Sequence, residues 1–196
     1  MNPEIKIDYA KTAVVVIDLQ KGITAIPAEP HSSDTVINNT AQILDTARSK
    51  GITVCLVRVG FSKDFKDALH PIAETSFQMA NRPADWSEYV PQLNIQPSDI
   101  LITKHQWGAF TGTELDLQLR RRGINTIILC GLATNLGVES TARFAYELGY
   151  NQIFVEDAMS ARSNAEHDYT FKYIFPRLGV KCSTEEVLNN FKMSND

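Results

Sequence analysis

Several polar residues close or follow apolar runs in this chain, and together they could carry proton chemistry. Asp18 ends VVVID, Arg58 lies near the end of CLVRV, Lys104 ends ILITK, and Thr134 with Asn135 follows ILCGLA. A carboxylate at the mouth of a buried strand has its charged form disfavoured by desolvation, while an ammonium beside it favours that form. Asp18 and Lys104 therefore make the sharpest pair for a tuned proton donor or acceptor; a structural ion pair is the competing role. A third element is GLATNLGVESTAR, residues 131 to 143. Thr134 or Asn135 is a natural N-cap for the helix that follows, which puts Gly137 in its first turn, where free N–H groups and the dipole attract anions. A cysteine there would be a good nucleophile with a lowered pKa, but the chain has glycine. Glycine inside a helix costs about 1 kcal/mol relative to alanine, so the position calls for empty space, bare backbone or close packing.

The elements that must carry these residues are legible as alternating patterns. Short apolar runs fall at 12 to 18, 52 to 59, 99 to 104, 125 to 131, 151 to 157 and 179 to 183. Longer stretches of helical period lie between them, the signature of a parallel sheet covered on both faces. SSDTVINNTAQILDTARSKG, GTELDLQLRRRG and TNLGVESTARFAYELG each stop on a glycine before the next strand, so they read as βαβ units. STEEVLNNF opens with a capping-box pattern from Ser183 to Glu186. The expectation is an α/β fold with six strands whose ligand crevice lies at the carboxyl ends, beside a topological switch point. Residues 61 to 96 break the rhythm with Pro71, Pro83 and Pro91 and the aromatics Phe77, Trp86 and Tyr89. They are expected to form a partly helical excursion near the site or an interface.

With 196 residues, 43% hydrophobic and 21% charged, the chain is expected to form a single domain, 1 to 196, that needs no disulfide or structural metal. A net charge of −4 argues against a nucleic-acid or anionic-membrane partner. No apolar stretch has the length of a membrane span and no signal-peptide pattern opens the chain, so the cytoplasm is the expected compartment. Cys55, Cys130 and Cys182 sit in or beside apolar runs and read as reduced core residues. The glycines form neither G-x-G-x-x-G nor a P-loop, and there is no G-x-S-x-G elbow. His31, His70, His105 and His167 are widely spaced, without H-x-H or H-E-x-x-H, so neither metal nor other cofactor is expected.

VVVIDLQ, KHQWGAFTGTEL and GLATNLGVESTAR, in that order, resemble the hallmarks of the isochorismatase-like hydrolases over roughly residues 12 to 190. The resemblance implies a three-layer α/β/α, Rossmann-like fold with strand order 3-2-1-4-5-6. It also implies a catalytic trio of Asp, Lys and Cys whose positions here are Asp18, Lys104 and Gly137, and a non-proline cis peptide at Leu132–Ala133. Cysteine-bearing relatives cleave C–N bonds through a thioester, chemistry that Gly137 cannot perform. The isochorismatases proper also lack the cysteine and cleave a vinyl ether by protonation and water addition, which needs a general acid. Asp18 is then the general acid/base, with Lys104 setting its protonation and binding an anionic substrate group, and the backbone near Ala133 and Gly137 stabilising charge or holding water. Arg58 and Arg82 are candidate carboxylate binders, and Trp107 and Phe110 a candidate apolar wall, although packing roles fit them as well. Leu132, Ala133 and Thr134 complete the expected substrate-binding set. Three readings follow: a hydrolase of small molecules such as isochorismate, a silent relative that binds a ligand or partner, or an amidase with a substitute nucleophile such as Thr134. The relatives also suggest a homo-oligomer, dimer or tetramer.

Overall fold

The structure is a computed structural model that describes residues 7–75 and 82–193. Six strands form one sheet: β1 (Thr12–Ile17), β2 (Thr53–Val59), β3 (Ile100–Lys104), β4 (Thr126–Leu132), β5 (Asn151–Ser160) and β6 (Val180–Cys182). All neighbours pair in parallel, in the order β3-β2-β1-β4-β5-β6. After β3 the chain crosses to the far side of β1, so the switch in strand order falls between β1 and β4, where an open α/β sheet offers its ligand crevice.

The helices are α1 (Lys21–Thr24), α2 (Ser33–Ser49), α3 (Leu115–Arg121), α4 (Glu139–Glu147), α5 (Asn164–Tyr169) and α6 (Thr184–Met193). Side chains alternate across β1, so its apolar run feeds two cores. Val14 and Val16 pack with Ile37, Ile43 and Leu44 of α2 and Phe191 of α6. Ala13, Val15 and Ile17 pack on the other face with Leu115 and Leu119 of α3 and Ala142 and Ala145 of α4. Two helices start on side-chain caps. Ser32 caps α2 by accepting from the Thr35 N–H at 3.1 Å. The Ser183 box closes in both directions, with Ser183 N–H donating to Glu186 Oε2 at 2.6 Å and Glu186 N–H to Ser183 Oγ at 3.2 Å. No helix among the described residues is long and apolar enough to cross a membrane.

Three local features were not fully foreseen. The helix after β4 begins as a π-helical turn, Thr134–Val138, capped by Ala133 with no side-chain bond, so neither Thr134 nor Asn135 is the N-cap. The Ala133 carbonyl instead accepts from the Leu136 and Val138 N–H groups at 3.0 and 3.2 Å. The described part of the 61 to 96 excursion is made of turns and one 3-10 turn, Pro91–Leu93; Phe77 lies outside the described residues. This segment is strapped across the carboxyl edge of the sheet. Gln20 bridges to Tyr89, Lys21 pairs with Asp85 and Glu88 at 2.8 Å each, and Phe61, Trp86 and Tyr89 pack on the core. Finally, α5 continues through a π-helical turn, Thr170–Ile174, and a 3-10 turn, Phe175–Arg177, in a region the sequence pattern did not mark as helical.

Gly131 fixes how closely β4 can approach β1. Its φ is +115°, and a Cβ there would lie 2.0 Å from the Ile17 carbonyl oxygen, a backbone atom that cannot move aside. Gly131→Ala is therefore expected to lower unfolding stability by about 3 kcal/mol or more, read by guanidinium denaturation. A loss below about 1 kcal/mol would show that the strands can separate there at little cost.

Candidate active site

Asp18 is the first polar side chain after six consecutive buried residues of β1, and it lies at the switch point. Its backbone turns left-handed, with φ of 54°, while its N–H still donates to the Val57 carbonyl at 2.9 Å. The strand is thus stopped without losing its last ladder bond, and the carboxylate stays under the edge of the sheet, 6% exposed. Lys104 ends β3, which β2 separates from β1, a span of about 10 Å that only a long side chain bridges. Its Nζ donates to Asp18 Oδ2 at 2.7 Å, to the Gln106 carbonyl at 3.0 Å and to the Trp107 carbonyl at 2.8 Å. An ammonium has three hydrogens, so none is left for an anionic substrate group. Lys104 serves the carboxylate and the loop after β3, and its side chain is 1% exposed.

A hydrogen-bond relay locks that loop onto the segment after β4. Ala109 N–H donates to Thr141 Oγ1 at 3.1 Å, and the Thr141 hydroxyl donates to the Gly137 carbonyl at 2.7 Å. The relay holds Gly137 against Asp18. A Cβ at position 137 would stand 2.9 Å from Asp18 Oδ2 and 3.4 Å from the Leu132 carbonyl oxygen. The Leu132–Ala133 peptide is cis, as the resemblance implied. Asp18, Lys104, Leu132, Ala133 and Gly137 are thus brought together, and Thr141 of α4 joins them through its hydroxyl.

Burial pushes the Asp18 carboxyl above its ordinary pKa of 3.8, while the charge and hydrogen bond of Lys104 pull the other way. Desolvation is the larger effect. The two oxygens differ: Oδ2 accepts from Lys104, whereas Oδ1 is buried without a hydrogen-bond partner. A proton taken up by this group therefore belongs on Oδ1, the oxygen free to deliver it.

Other expected site residues go elsewhere. Arg58 is in register with Thr103 and donates to its Oγ1 at 3.2 Å, one residue out of phase with Lys104 and hence on the opposite face of the sheet. It also lies 5.4 Å from the Tyr89 ring centroid, and Arg82 lies 4.1 Å from that of Trp86. Phe110 stacks on Tyr150 in the core with centroids 5.6 Å apart, so it does not wall the site. Trp107 offers Lys104 its carbonyl, and the residue is 62% exposed. Thr134 is fully enclosed, and its Oγ1 lies 2.9 Å from His167 Nδ1 on α5, a pairing no local spacing announced.

A parallel α/β sheet with a carboxylate and an ammonium buried together at its switch point is the architecture whose carboxyl edge offers a ligand crevice in open α/β folds. The chain belongs to the isochorismatase family, whose domain matches residues 12–186. It is 50% identical over 190 residues to the isochorismatase-family protein YwoC of Bacillus subtilis (strain 168), covering 96% of this chain and 98% of that one. It is 30% identical over 177 residues to the ureidoacrylate amidohydrolase RutB of Azorhizobium caulinodans, covering 79% and 78%. A solved isochorismatase-family structure from Burkholderia thailandensis superposes with a TM-score of 0.92 at 41% identity, covering 96% and 98%. The family is one of hydrolases.

The charge balance at Asp18 is directly measurable. Carboxyl carbon NMR should show Asp18 titrating above 3.8, and Lys104→Met should move the midpoint higher still by removing the ammonium that lowers it. Because the folded-state value exceeds the unfolded one, the contribution of Asp18 to stability is complete below the ordinary pKa and is lost as pH rises through the folded-state value. A wild-type midpoint at or below 3.8 would contradict the dominance of burial.

Proposed function

We propose that this protein hydrolyses a small molecule by general acid/base catalysis without a cysteine nucleophile, the substrate class being enol ethers such as isochorismate. Asp18 Oδ1 gives its proton to the terminal carbon of the enol ether, and water adds to the oxygen-bearing carbon. The hemiketal that results collapses to a carbonyl compound and an alcohol. Lys104 fixes the other carboxylate oxygen, and the Gly137 backbone lies close beside the acid. The observation that carries this reading is the buried Asp18 Oδ1 without a hydrogen-bond partner, set against a glycine.

A second reading, an amidase with Thr134 as nucleophile, draws support from the 2.9 Å contact between Thr134 Oγ1 and His167 Nδ1 and from the similarity to a ureidoacrylate amidohydrolase. Against it, Thr134 has no exposed surface at all, whereas Asp18 keeps 6%.

A turnover screen of isochorismate, other enol ethers and small amides tests both. Asp18→Asn is expected to reduce enol-ether hydrolysis by at least about a hundredfold with the fold intact, a usual size for a lost general acid. Retained activity would sink the assignment. Amide turnover abolished by Thr134→Val would favour the second reading, and no turnover of any compound would leave a ligand-binding relative.

We further take the protein to be a cytoplasmic homo-oligomer. Its three cysteines are unpaired and buried, with burial pushing the Cys55 and Cys182 thiols up to about 12, which suits a reducing compartment. Phe144 and Leu148, four residues apart on one side of α4 and its end and both exposed, offer apolar side chains for self-association. Sedimentation velocity over a concentration series should show a dimer or larger; a monomer throughout would refute it.

A further inference from the structure

Away from Asp18 and Lys104, three donor side chains converge on one point. His31 lies in the loop between α1 and α2, Glu156 on β5 and His167 on α5, and their donor atoms all fall within 4.8 Å of one another. Glu156 Oε1 is the shared centre, 3.6 Å from His167 Nε2 and 3.9 Å from His31 Nε2. Both distances exceed a hydrogen bond, and both Nε2 atoms are buried without a hydrogen-bond partner. The His167 side chain is 1% exposed, so its unpartnered nitrogen has no solvent to turn to.

The surroundings hold this geometry in place. The His167 Nδ1 contact with Thr134 Oγ1 orients the ring; with Nδ1–H as donor, the lone pair of Nε2 points at Glu156. The loop carrying His31 is pinned to the end of β5: His31 N–H donates to Ser160 Oγ at 3.2 Å, and Glu29 and Ala161 exchange backbone bonds at 3.0 and 2.9 Å. With both rings in the tautomer that leaves a lone pair on Nε2, two imidazole nitrogens and a carboxylate oxygen, all acceptors, face one another from fixed elements. Such an arrangement is repulsive unless a cation sits between them.

We propose that His31, Glu156 and His167 bind a divalent transition-metal ion of the zinc class. Two imidazoles and a carboxylate form a donor set that zinc accepts, with a fourth position left to water. A tetrahedral ion with bonds of about 2.1 Å places its donors about 3.4 Å apart, so the cluster need contract only slightly at Glu156 and by at most about 1.4 Å between the histidines. His31 and Glu156, with side chains 26% and 36% exposed, leave a path from solvent. The ion would tie the loop before α2 to β5 and α5, one hydroxyl away from the Leu132–Gly137 turn. The widely spaced histidines concealed the site, since the ligands come from three separate elements.

The test is titration of chelator-stripped full-length protein with zinc chloride by calorimetry, with His31→Ala, Glu156→Gln and, as a control, His105→Ala. The expected result is one zinc per chain, binding weakened at least tenfold by His31→Ala and by Glu156→Gln, and no change in His105→Ala. Stripped wild-type protein that takes up no zinc, or uptake indifferent to both ligand substitutions, would overturn the proposal. Should a variant fail to fold, cobalt(II) added to the wild type reads the site without substitution. Paramagnetic broadening of the His31 and His167 ring signals supports it, and broadening confined to His70 and His105 overturns it.

Discussion

The contact between Lys104 Nζ and Asp18 Oδ2 is the constraint around which the site is built. Burying two charges costs several kcal/mol per ion unless their remaining valences are met. Here the ammonium is satisfied by one carboxylate oxygen and two loop carbonyls. That arrangement requires strand order to set β3 two places from β1, a lysine to span the gap, and the loop after β3 to turn its carbonyls inward. The loop in turn depends on Thr141, which joins Ala109 to Gly137 and so couples the β3 edge to the start of α4. One ion pair thus ties three separate segments to the switch point.

The same pair decides what chemistry the site can host. A carboxylate alone under the sheet would be neutral over most of the pH range, and one fully matched by an ammonium would be a poor acid near neutrality. Burial outweighs Lys104, so Asp18 keeps an elevated proton affinity while its position stays fixed. Lys104 acts through Asp18 and has no hydrogen left to grip a substrate. Gly137 matters because its backbone sits so close to the acid: a Cβ there would begin 2.9 Å from Asp18 Oδ2 and 3.1 Å from the Ile17 side chain.

The order of elements and the two charged residues were readable from sequence because both follow from local patterns. β1, β2 and β4 are predominantly apolar runs, and Asp18 and Lys104 are the polar residues that close β1 and β3. The capping box at Ser183 needed only four residues of context, and it formed. What failed was direction. Arg58 stands next to the strand end, but the twofold alternation of β2 sends it to the other face, and Phe110 follows Lys104 closely yet turns into the core against Tyr150. Thr134 was expected to cap a helix, but the π-helical turn passes that task to the Ala133 backbone and frees the hydroxyl for His167. His31, Glu156 and His167 could not be grouped at all, because their meeting is set by how α5 and the loop before α2 close over β5.

The central claim is that Asp18 acts as a buried proton donor. Its most direct test is the pH dependence of kcat for an enol ether that the protein turns over. A general acid must carry its proton at the transition state, so kcat should fall as pH rises through the folded-state pKa of Asp18. A kcat that stays flat through that range, or rises with pH, would contradict the account.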